Sequence, residues 1–155
     1  MAAIKETTVE RTVVIDAPAE VIWKALNKQG LDHLQLLASH DDTQLREGGT
    51  LEWFDREDPT GTVPRVKGRI SVIAPPRHIV FMAFMPSSKL RDIPQNYTAV
   101  DITLCMEEDG RTSVTVIHGD FAKHPHGVRL AREAGDHWVE TLIRLKNLVE
   151  REIAA

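Results

Sequence analysis

The sequence predicts an α+β fold, and three observations carry that prediction. Between Thr8 and His118, apolar and polar residues alternate in about six separate segments, the period of half-buried strands. From about Gly127 to Ile153 the period changes: Leu130, Ala134, Trp138, Leu142, Leu145 and Val149 recur at three or four, one face of a long helix. A run of strands with its helices segregated to the ends is an α+β arrangement.

The first strand spans Thr8 to Ile15, with Val9, Val13 and Ile15 alternating with polar neighbours. Asp16-Ala17-Pro18-Ala19-Glu20 then opens a helix. With Ala17 at the N-cap, Pro18 takes the first helical position, where its missing N–H costs nothing. Glu20 falls near the positive end of the dipole, and Asp16 is an alternative cap. Val21, Ile22, Ala25 and Leu26 keep helical spacing until Gly30, and Leu31 to Ala38 is expected to form a second short helix.

Gly48-Gly49 leads into a strand over Thr50 to Phe54, and Asp58-Pro59-Thr60-Gly61 is a turn. Val66 to Ala74 alternates, Pro75-Pro76 interrupts, and His78 to Met85 resumes the pattern. Tyr97 to Met106 forms the next strand, with Val100, Ile102, Leu104 and Met106 on one face. Glu108-Asp109-Gly110 is a hairpin turn into Thr112 to His118. The closing helix, at 1.5 Å per residue over roughly 25 residues, would run about 37 Å and so is expected to lie across the whole sheet.

Composition bounds the function. The 155 residues fit one domain, 1–155, with 42% hydrophobic and 27% charged residues. Net charge is −4, with no stripe of Lys and Arg for a phosphate backbone, so nucleic acid is not an expected partner. Arg65-Val66-Lys67-Gly68-Arg69 reads instead as a solvated strand face. A single cysteine, Cys105, rules out an internal disulfide. No segment has the length of a membrane span, and the N-terminus has no apolar signal region, so a cytoplasmic protein is the default expectation.

The order of elements, together with APAEVIWKAL (Ala17–Leu26), Gly48-Gly49, GRISVIAPPRHIVF (Gly68–Phe81), SVTVIHGDF (Ser113–Phe121) and HWVETLIRLKNLVE (His137–Glu150), resembles the helix-grip superfamily. This superfamily is also called Bet v 1-like, START-like or SRPBCC, and the likeness is to its branch related to the activator of Hsp90 ATPase (AHSA1-like). The resemblance implies a curved antiparallel sheet of about six to seven strands wrapped around the C-terminal helix, with one or two short helices after the first strand. Two stretches depart from the pattern. LDHLQLL (Leu31–Leu37) stands where many members carry a tryptophan pair, and MPSSKLRDIPQNY (Met85–Tyr97) is a long polar insert.

The resemblance also implies a cavity between sheet and helix that takes apolar or amphipathic molecules. An unfilled apolar void of about 300 Å³, at about 24 cal/mol per Å³, would cost on the order of 7 kcal/mol, comparable to the stability of a whole domain. A ligand is therefore the expected reason for keeping one. The lining candidates are Trp23, Leu34, Trp53, Phe81, Ala83, Met85, Tyr97, Met106, Val116, His118, Trp138 and Leu142. Trp23 and Trp138 are also ordinary core residues by their helical spacing, and methionines suit both a tolerant pocket and a plain core.

Catalytic signatures are absent: the chain has no nucleophile elbow, phosphate loop or HExxH. His118 has the apolar parity of its strand and is expected to be a hydrogen-bonded structural histidine rather than an acid–base group. His124-Pro125-His126, with Asp120 nearby, has the spacing of a chelating pair but reads as an exposed loop. His33 and Tyr97 are placed near the cavity mouth, Glu52 is a candidate inward polar group, and Arg69 faces water. Neither cofactor nor metal is implied, and no catalytic residue is assigned.

The reading is thus a non-catalytic binder or carrier of a hydrophobic small molecule, lipid or polyketide-like. The alternatives are a cyclase- or hydrolase-type enzyme using polar groups in that cavity, and a chaperone- or stress-related protein-interaction module. Edge strands and the outer sheet face are available for a homodimer.

Overall fold

The computed structural model describes residues 6–27, 46–54, 64–85 and 89–154. In chain order the elements are β1 (Val9–Ile15), α1 (Ala19–Asn27), β2 (Thr50–Phe54), β3 (Pro64–Ala74), β4 (His78–Phe84), β5 (Thr98–Met106), β6 (Thr112–Gly119) and α2 (Gly127–Ala154). A single 3₁₀ turn, Pro94–Asn96, lies between β4 and β5. The expected second short helix, Leu31 to Ala38, lies outside the described residues.

The six strands form one antiparallel sheet in the order β1-β6-β5-β4-β3-β2, at the lower end of the expected number. No seventh strand is found among the described residues. β1 crosses back to pair with β6, placing Val9 opposite His118 and Ile15 opposite Thr112. At the β5–β6 hairpin, Gly110 takes φ = 88°, a left-handed conformation that glycine adopts without a Cβ penalty. The Asp109 carboxylate closes the turn by accepting from the backbone N–H of Arg111 at 3.1 Å and from its Nε at 2.7 Å.

α1 begins one residue later than expected. Pro18 sits at the cap, its carbonyl accepting from Val21 N at 3.1 Å and Ile22 N at 3.3 Å. Ile22, Ala25 and Leu26 are buried, and Trp23 packs half-buried against the core. α2 has the predicted extent, and its stripe of Ala134, Trp138, Leu142, Leu145 and Val149 is buried. No helix among the described residues is long and apolar enough to cross a membrane.

The strands have one apolar face. Val9 and Ile15 on β1, Val114 and Val116 on β6, Val100, Ile102 and Leu104 on β5, and Ile79 and Phe81 on β4 share one core with both helices. α2 does not lie evenly across this face as expected; its closest approaches are to β1 and then β6, while α1 approaches β5. Gly135 is where α2 meets β1: a Cβ there would fall 2.5 Å from the Arg11 guanidinium.

β3 is not a simple alternating strand. Ile70 pairs with Phe81 and Val72 with Val80, so Ser71 is an extra residue and the register shifts. The bulge lets Ile70 and Ile73, three positions apart, both serve the core, whereas strict alternation would send one to water.

Candidate functional site

His118 is the most informative polar residue of the inner face. It is 6% exposed and sits between Val9 on β1 and Val100 on β5. Trp138, reaching in from α2, donates its indole Nε1–H to His118 Nδ1 at 3.1 Å. Since an indole N–H can only donate, Nδ1 must be the acceptor nitrogen and Nε2 carries the proton. Nε2 then donates to Thr98 Oγ1 at 2.9 Å, and that hydroxyl points its own proton at the Ala83 carbonyl, 3.5 Å away. Phe121 packs on the imidazole at 4.9 Å between ring centres.

Burial among these groups lowers the His118 pKa to about 4, because a charged imidazolium would lose its water without gaining an anion. At neutral pH the ring is uncharged, its lone pair is engaged and its proton is committed. The arrangement ties α2 to β6, β5 and β4, as expected of a structural histidine.

The expected lining residues divide. Phe81, Ala83, Val116, His118, Trp138 and Leu142 are all buried in the shared core, and Met85 and Trp23 are half-buried at its margin. Ala83 stands opposite Gly68 across β3 and β4, and the Phe81 ring lies over Gly68. Met106 does not join them: at the end of β5, it is 55% exposed. Tyr97 is on the opposite side of the sheet. Leu34, His33 and the side chains of Trp53 and Glu52 lie outside the described residues. His124, read as part of an exposed loop, is buried against Phe121, while His126 is exposed. Burial, aided by the neighbouring charge of Lys123, holds the His124 pKa below its ordinary value.

Tyr97 belongs to a groove that parity alone did not reveal. Residues 89–97 of the polar insert fold back over the outer face of β3 and β4, and Tyr97 stacks on Phe84 with ring centres 5.2 Å apart. This cover explains why Phe84 is only 4% exposed although its strand parity points it away from the core. The Tyr97 hydroxyl donates to Asp92 Oδ1 at 2.6 Å, and Asp92 also pairs with Lys67, which lies 5.9 Å over the Phe84 ring. These hydrogen bonds, chiefly that from Lys67, hold the Asp92 carboxyl below its ordinary pKa. Tyr97 is pushed up, by desolvation first and by Asp92 second. The resulting half-open cleft has a volume of about 760 Å³, with Arg69 and Met82 on its floor, Thr50 and Ser71 at one side, and Pro94 and Tyr97 at the other. Arg69 does face water, as expected, but from inside this cleft.

Comparison with known proteins places the fold. Residues 16–150 match the family model described as activator of Hsp90 ATPase homolog 1-like protein. No curated protein matches the chain. Among solved structures, the Aha1 dimer from Colwellia psychrerythraea is 15% identical, with a TM-score of 0.66 over 92% of this chain and 96% of that one. The HSP90 activator PFC0360w from Plasmodium falciparum is 18% identical, with a TM-score of 0.58 over 83% and 86%. DynU16, from the dynemicin biosynthetic locus, is 15% identical, with a TM-score of 0.66 over 93% of this chain and 47% of its own. At these identities the likeness is one of fold.

Proposed function

This chain belongs to the activator of Hsp90 ATPase homolog 1-like family, and on that premise we propose that it is a non-catalytic binding protein for a hydrophobic small molecule, held against the inner face of the sheet. The observation that carries this reading is the reach of that face. Among the described residues the helices pack chiefly on β1, β6 and β5, and the same apolar face continues over β4 and β3, where Ile79, Phe81, Ala83 and Ile70 are also buried. The small facing pair Gly68 and Ala83 lies on this stretch, with half-buried Met85 beside it as an adaptable wall.

His118 lends no support to an acid–base enzyme, since both of its nitrogens are engaged within the core. A protein-interaction role has one feature in its favour: Val139 and Ile143, one turn apart on the outward side of α2, are 41% and 50% exposed. The carrier reading is tested by native mass spectrometry of the purified protein and a thermal-shift screen of fatty acids and polyketide-type rings. A ligand at a hundredfold its Kd should raise Tm by about 5 °C or more. A clean apo mass and no shift across the panel would remove the proposal.

A further inference from the structure

We propose that the outer-face cleft is a second binding site, built to take a small planar monoanion such as an aryl carboxylate. Three observations converge. First, the cleft is constructed rather than incidental: residues 89–97 are held over the sheet by the Lys67–Asp92 ion pair, the Tyr97–Asp92 hydrogen bond and the Tyr97–Phe84 stack. Asn96 Nδ2 donates to the Arg91 carbonyl at 2.8 Å and fixes the 3₁₀ turn at its rim. The volume of this half-open cleft, about 760 Å³, falls in the usual range for ligand clefts.

Second, the charges inside do not balance. Lys67 and Asp92 neutralise each other, whereas Arg69 has no ion-pair partner among the described residues. In a chain of net charge −4, the described residues that line the cleft carry a net charge of +1 (Lys67 and Arg69 against Asp92). A guanidinium fork takes a carboxylate through two parallel hydrogen bonds, with the Thr50 and Ser71 hydroxyls beside it as further donors.

Third, the remaining walls are flat and apolar. Tyr97 is braced from behind by Phe84 at an interplanar angle of 25°, and Met82 forms a pliable floor. An anionic head with a planar apolar body satisfies both halves of the cleft, whereas a cation would be repelled by Arg69.

The test is an amide NMR titration with 2-naphthoate, and with naphthalene-2-methanol as its neutral counterpart. Binding of 2-naphthoate should move the amides of residues 67–71, 82 and 92–97. The neutral compound should bind at least tenfold more weakly. Arg69→Gln should weaken 2-naphthoate at least tenfold with Tm unchanged, and Arg69→Lys, which keeps the charge but loses the fork, should fall between. Equal affinity of Arg69→Gln and the parent, or no movement at millimolar 2-naphthoate, would overturn the assignment. Movement confined to inner-face residues such as Phe81, Val116 and His118 would overturn it too, while supporting the carrier reading.

Discussion

Trp138 and His118 meet through a hydrogen bond of 3.1 Å from indole Nε1 to imidazole Nδ1, and that contact determines which nitrogen of the buried histidine holds the proton. Its donation to Thr98 follows, while burial makes the ring resist becoming charged.

That resistance sets a pH dependence. His118 has a pKa of about 4 in the folded chain against about 6.5 unfolded, so between those values the unfolded state binds the extra proton. Stability is full above about pH 6.5 and declines as pH falls toward 4, by on the order of 3 kcal/mol in all. Urea denaturation between pH 7.5 and 4.5 should show this slope, and His118→Phe should flatten it.

Trp138→Phe keeps most of the ring volume but leaves Nδ1 buried without a donor, at a cost of about 1–3 kcal/mol. Trp138→Ala, which also opens a cavity, should cost about 3–5 kcal/mol. Thr98→Val strips the partner from Nε2 instead. Because all three groups form one chain, the Trp138→Phe and Thr98→Val costs should fail to add by at least about 0.5 kcal/mol in a double-mutant cycle.

Gly68→Ala should destabilise by about 1–3 kcal/mol. The added Cβ would fall 2.6 Å from the Met82 carbonyl oxygen and 3.3 Å from the Phe81 ring, and the carbonyl belongs to the paired strand, so it has little freedom to retreat. Gly135→Ala makes the opposite case. Its Cβ meets the far end of the Arg11 side chain, which can swing aside, so the gain in helix propensity should leave it neutral or up to about 1 kcal/mol more stable. Thermal denaturation of the two variants separates the cases.

On the outer face, Tyr97→Ala should cost about 1 kcal/mol through loss of the stack on Phe84, beyond the apolar area it uncovers. Arg69→Gln, on a side chain open to water, should change stability by no more than about 0.5 kcal/mol. Chemical denaturation can check both, and the contrast tells a wall residue from a floor residue.

Much of the architecture was legible in the chain because its signals are local. Val9, Val13 and Ile15 mark β1 by alternation, and Ala134, Trp138, Leu142, Leu145 and Val149 mark the buried stripe of α2 by helical spacing. Pro18 and Gly110 announced a helix start and a hairpin through backbone constraints of their own. His118 could be placed on the apolar side of its strand by the same counting.

Tertiary structure decided what counting along one segment could not. Thr98 and Trp138 each lie 20 positions from His118, so the hydrogen-bonded chain exists only once β5, β6 and α2 are stacked. Ser71 overturned the parity of β3 because a bulge is a property of two paired strands, not of one. Tyr97 and Met106, counted among the cavity-lining candidates by sequence, went elsewhere for related reasons. Alternation assigns a residue to one of two faces, but the course of the neighbouring chain decides which face is covered, and by what.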